Sequence, residues 1–227
     1  MLVMKAWMET RWRLSAVLFY SLIALAINYK GQSAPAAKPG GMLTLLLMVL
    51  ATFVMPLAGS GVQSQSPAGF PEGLAGSTQF TISLPVSRPR LLAVRAAIGW
   101  LEASAVTLLV AGLTWSLFPS IRATIAPADF ARGVLTTLLF LTVPYCTHVF
   151  FSALIDELPA LMFSGCTFSL LLWLLHHVTP AVDIVRAVTQ SSPLVTHQLP
   201  WSQMATSAGL ALILMWAAVR AVQTREY

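Results

Sequence analysis

The chain has 227 residues, of which 57% are apolar and 9% are charged, and its formal net charge is +5. A soluble domain carries about 25% charged residues, so this chain has too few to cover a water-facing surface. With a mean hydropathy of +0.77, those figures exclude a soluble enzyme, a disordered regulator and a collagen-like chain, and they point to lipid as the main solvent.

Residues 1–13, MLVMKAWMETRWR, read as a short interfacial helix. Met4, Met8 and Trp12 make one strip at i,i+4 spacing, beside a strip of Lys5, Glu9 and Arg13. Trp7 and Trp12 suit the headgroup region. A first crossing is expected over about Leu14–Asn28, with Arg13 and Lys30 reaching outward from its ends. Basic residues, an apolar stretch and Ala34-Pro35-Ala36 also mimic a secretion signal. The long, tryptophan-rich leading segment favours an anchored helix over a cleaved one.

Uncharged runs then extend over Pro39–Pro71, Ala103–Ile121, Gly133–Ile155, Leu158–Val182 and Ala187–Val219. A crossing needs roughly 20 mostly apolar residues, so together with the first run they predict six spans in one transmembrane domain, 1–227. The second span is expected over about Met42–Leu57, followed by a polar stretch, 58–82, too short for a separate domain. The third begins after Arg95 and runs to about Phe118. The fourth covers about Gly133–Ala153, with a kink expected at Pro144. Asp156-Glu157-Leu158-Pro159 reads as a tight turn into a fifth span, about Ala160–Val178. Residues 179–203, with Pro180, Pro193 and Pro200, are expected to form short helices on or in the outer surface, before a sixth span over about Met204–Val222.

Lysine and arginine positions set the orientation. With the N-terminus inside, Lys5, Arg11, Arg13, Arg88, Arg90, Arg95, Arg220 and Arg225 face the cytoplasm, against Lys30, Lys38, Arg122, Arg132 and Arg186 outside. Both termini are thus expected to be cytoplasmic. These basic residues sit near the ends of apolar runs, which argues against nucleic acid as a partner.

The most specific stretch is FPEGLAGSTQFTISLPVSRPRLLAVR, Phe70–Arg95. Glu72 is followed by Gly76, Ser77 and Thr78, then by Leu84-Pro85-Val86-Ser87-Arg88 and a membrane helix. Pro85 interrupts any continuous helix by removing a backbone donor. Ser87 is a candidate cap, and Arg88, Arg90 and Arg95 hold the inner face. This pattern resembles the permease subunits of type-2 ABC exporters. The resemblance implies a plasma-membrane (inner-membrane) protein of a bacterium, whose segment 58–95 is the cytoplasmic coupling region. Glu72, Gly76, Thr78, Pro85 and Arg88 would dock it on a separate ABC ATPase subunit carrying ATP and magnesium. It also implies a second permease copy or a paralogue beside this one in the bilayer. The alternative is a plain polar loop that orients the third helix.

Glu102 lies seven residues after Arg95, near the expected inner end of the third span. It either pairs with Arg95 or snorkels, or it serves a substrate path or an inner gate. Cys146, Cys166, His148, His176 and His177 could suggest a metal, but the expected depths of His148 and His176 differ by about 15 Å at helical rise. No metal site is expected, nor a disulfide. There is no G-x-x-x-x-G-K-[ST] stretch, no nucleophile elbow and no His-Glu-x-x-His. The expected protein is therefore a transporter subunit, with no cofactor or catalytic residue of its own. Its substrate is not readable, beyond a leaning to hydrophobic or amphipathic cargo. The alternative is a membrane-embedded enzyme or redox subunit using the intramembrane histidines and Glu102.

Overall fold

In the computed structural model the described residues are 87–155, 157–190 and 192–224, together with Ser15, Leu18, Phe19, Leu22 and Ile23, which are helical. Among them all regular structure is helix: α1 (Arg88–Leu117), α2 (Pro119–Thr124), α3 (Pro127–Leu154), α4 (Glu157–Val178), α5 (Ile184–Val188), α6 (Pro193–Thr196) and α7 (Trp201–Thr224). Four of these, α1, α3, α4 and α7, are long and apolar enough to cross a membrane. They coincide with the third to sixth expected spans. The interfacial helix 1–13, the second span and the polar stretch 58–82 lie outside the described residues, as does most of the first span.

Proline and small loops set the helix boundaries. Pro89 sits in the first turn of α1, where its missing N–H costs nothing. Ser87 holds the N-cap position in an extended conformation and makes no side-chain cap bond. Its carbonyl accepts from the Leu91 N–H at 3.1 Å. At 30 residues, α1 is about 45 Å long, and it starts at Arg88, ahead of the span expected after Arg95. Phe118 closes it and is fully buried, which pins the break before Pro119 opens α2. Pro127 opens α3 in the same way. Helix α3 runs unbroken through Pro144. A proline there removes one ladder bond, and the neighbouring helices hold the chain in register. Of the residues expected to turn, Glu157 already opens α4, three residues after α3 ends at Leu154.

Helix α3 is the hub, packed against α1, α4, α5, α6 and α7. Leu141, Val143 and Val149 on α3 are buried against Val106 and Val110 of α1 and Ala218 of α7. Ala103, Ala153, Ala160, Ala187 and Ala211 are buried as well, and such small residues let helix backbones approach where no hydrophobic force drives helices together. Phe140 of α3 meets Phe168 of α4 edge-on at 6.1 Å, and Trp115 of α1 meets Phe130 of α3 at 4.8 Å. Hydroxyls inside the bundle are satisfied locally. Thr107 donates to the Ala103 carbonyl at 2.8 Å, Thr114 to Val110 at 2.7 Å and Ser152 to His148 at 2.6 Å. That back-bonding keeps polar side chains tolerable in a low dielectric.

The outer faces are as apolar as the core. Met162, Phe163, Leu170 and Trp173 project from α4, and Leu212, Ile213 and Trp216 from α7, all more than half exposed. A soluble monomer rarely shows such continuous apolar faces. Lipid suits them, and the four helices define a polytopic α-helical membrane protein.

Candidate functional site

The stretch expected to couple to an ATPase precedes α1 in the sequence. Glu72, Gly76, Thr78 and Pro85 lie outside the described residues. Arg88 is the first residue of α1. The helix therefore begins where the Leu84-Pro85-Val86-Ser87 stretch ends, with Pro89 in its first turn.

Higher on α1, Arg95 is half-buried and Glu102 is buried. Because α1 starts at Arg88, Glu102 stands 14 residues from one end and 15 from the other, about 21 Å inside the helix. It is a mid-helix residue of the core, deeper than its spacing from Arg95 suggests. Nearby, the Tyr145 hydroxyl donates to the Ala96 carbonyl at 2.6 Å, and the Tyr145 ring packs on Trp100 at 5.6 Å. This contact sets Ala96, near the start of α1, beside the C-terminal third of α3, so the two helices are antiparallel.

The opposite end carries the densest polar contacts. Asp129, in the first turn of α3, accepts from Arg132 Nη1 at 2.9 Å and pairs with His197 Nδ1 at 2.5 Å. Arg132 Nη1 also donates to the His197 carbonyl at 3.0 Å. His197 ends α6 at φ 58°, in the left-handed region. Two contacts from the first turns of α3 reach that residue. A second knot joins α4 to α5. Asp183 caps α5 by accepting from the N–H groups of Val185 and Arg186, and its other oxygen pairs with His176 Nδ1 at 2.8 Å. Arg186 Nε approaches that same oxygen at 3.6 Å. Gln203 of α7 donates to the Pro180 carbonyl at 2.9 Å. Between these knots, a Cβ at Gly133 of α3 would meet the Leu194 side chain of α6 at 3.2 Å, so α6 sits directly on the α3 backbone.

Residues 179–190 and 192–200 thus form a cap over one end of the bundle, and they contain the two short helices α5 and α6. The Asp129–Arg132 spacing of three residues and an aspartate ahead of Ile184-Val185-Arg186 are signals that could have flagged half of each knot. The partners His197 and His176 carry no such signal, since Asp129 and His197 are 68 residues apart in sequence.

The remaining thiols and imidazoles lie apart. His148, buried on α3, meets Ser164 of α4 through Nδ1 at 3.1 Å. His176 lies 12 residues beyond Ser164 on the same helix, about 18 Å along it. His177 bonds the Trp173 carbonyl through Nδ1 at 2.7 Å. Cys146 is buried and Cys166 exposed, both as free thiols. Among the described residues no three histidine, cysteine or acidic side chains gather as metal ligands.

No family model, curated protein or solved structure matches the chain. Its class therefore rests on its own residues: a polytopic α-helical membrane protein with a polar cap at one end.

Proposed function

We propose that this chain is the transmembrane permease subunit of an ATP-driven ABC exporter of the type-2 class, in the inner membrane of a bacterium with both termini cytoplasmic. Two permease subunits, identical or paralogous, enclose the substrate path. A separate ATPase subunit, holding ATP and magnesium, docks below each. The observation that carries this reading is the residue order Glu72, Gly76 and Thr78, then Pro85 and Ser87, ahead of a long apolar helix that starts at Arg88. A proline-broken elbow fused to a long helix is a lever. Closure of the ATPases tilts it, and the Tyr145–Ala96 bond and the buried packing around it pass the tilt to α3. Arg95 and Glu102 lie along that lever and form a gate or ion pair on the path. The low charge of the spans favours a hydrophobic or amphipathic cargo.

Co-purification tests the reading. Tagged wild-type chain should retain a P-loop ATPase from its native membrane, and Glu72→Lys or Arg88→Glu should abolish the retention while leaving the fold intact. Equal ATPase retention by both variants would refute the docking assignment.

A further inference from the structure

The C-terminal end of α7 carries a second feature, independent of any ATPase. Arg220 is exposed, and its guanidinium carbon lies 5.6 Å from the centroid of the Trp216 ring. Trp216 is 63% exposed, and one turn earlier Leu212 and Ile213 are 71% and 63% exposed. Arginine over tryptophan is favourable in itself, and the ring's flat face fixes the plane of the guanidinium. The remaining donors then point away from the ring.

The spacing along α7 places this pair at a bilayer surface. Trp201, 70% exposed, opens α7. Arg220 lies 19 residues later, about 29 Å along the helix, which matches a hydrocarbon core of about 30 Å. Trp201 therefore marks one interface and Arg220 the other, with Trp216 about one turn inside. The bundle fixes which end this is. The first knot ties the first turn of α3 to His197, four residues before α7 begins, so Arg220 lies at the end where α3 finishes and α1 starts. Arg90, also exposed, is in the first turn of α1 at that same end.

We infer that Arg220 and Trp216 form a headgroup site for an anionic phospholipid. The guanidinium takes the phosphate through its planar pair of N–H donors, Trp216 lies at the glycerol level, and one acyl chain runs along Ile213 and Leu212. Charge selects the lipid: a basic side chain near the surface favours an anionic headgroup by about fivefold, and a zwitterionic one gains little.

Native mass spectrometry of the full chain released from micelles doped with equal phosphatidylglycerol and phosphatidylcholine tests this. Wild type should keep phosphatidylglycerol adducts over phosphatidylcholine. Arg220→Ala should lower that preference about fivefold, the value expected for one basic residue at the surface. Trp216→Ala should lower it too, and Arg122→Ala, exposed at the opposite end, should lower it less. Arg220→Lys should keep part of it, because the charge stays and the planar fork is lost. Unchanged phosphatidylglycerol adducts in Arg220→Ala, or an equal loss in Arg122→Ala, would overturn the site. So would displacement of the lipid by millimolar inorganic phosphate, which would make the site a free-anion site.

Discussion

Tyr145 offers the sharpest test of how α1 is held on α3. Its side chain is buried, its ring lies 5.6 Å from Trp100, and its hydroxyl bonds the Ala96 carbonyl at 2.6 Å. Tyr145→Phe removes the hydroxyl and keeps the ring. Interhelical hydrogen bonds in membrane proteins contribute about 0.6 kcal/mol on average and up to about 1.7. The Ala96 carbonyl also lies within α1, where helical bonding remains available. The expected loss is therefore about 1 kcal/mol. Tyr145→Ala also empties the space between α1 and α3, and truncating a buried aromatic costs about 3–5 kcal/mol. Equilibrium unfolding in mixed micelles titrated with sodium dodecyl sulfate measures both. The reasoning predicts a Phe variant near wild type and an Ala variant far below it. Equal losses would show that the hydroxyl, and not the packing, ties the helices. No loss in either would remove Tyr145 from the core.

Other consequences follow from named contacts. Gly133→Ala should be tolerated, since a Cβ meets only the movable Leu194 side chain at 3.2 Å, whereas Gly133→Leu should cost about 1–3 kcal/mol by overpacking in the same titration. Asp129→Asn should speed hydrogen exchange in residues 193–198 and leave the middle of α7 unchanged, because it weakens the pairs with His197 and Arg132. Ser164→Leu should destabilise more than Ser164→Ala, since Ser164 is fully buried and faces His148 of α3. A membrane-soluble thiol reagent should modify Cys166 in the folded protein and reach Cys146 only on unfolding, as peptide mass mapping would show.

The membrane helices were legible because lipid imposes a length and a composition that few other contexts share. The uncharged runs at Gly133–Ile155 and Leu158–Val182 fall almost directly on α3 and α4. The start of α1 was less legible. Arg95 suggested the edge of the apolar run, yet the helix begins at Arg88, because arginines extend a helix beyond the hydrocarbon without breaking it. That earlier start puts Glu102 at the middle of α1, 14 residues from its first residue. The knots at the cap were hidden for another reason. Asp129 meets His197, and His176 meets Asp183, through tertiary folding. Periodicity reports which face of a helix is apolar and not which distant loop returns to it. The proposed coupling elbow is the reverse case: the proposal rests on residue order alone, with Glu72, Gly76, Thr78 and Pro85.

The central claim is that a nucleotide-hydrolysing partner grips this elbow from the cytoplasm. A photo-crosslinking amino acid placed at Thr78 in whole cells tests it most directly. Irradiation should join the chain to a P-loop ATPase, identified by mass spectrometry of the conjugate, and Glu72→Lys should suppress that product. Attachment of Thr78 to periplasmic proteins, or an ATPase-free conjugate pattern insensitive to Glu72→Lys, would contradict the account.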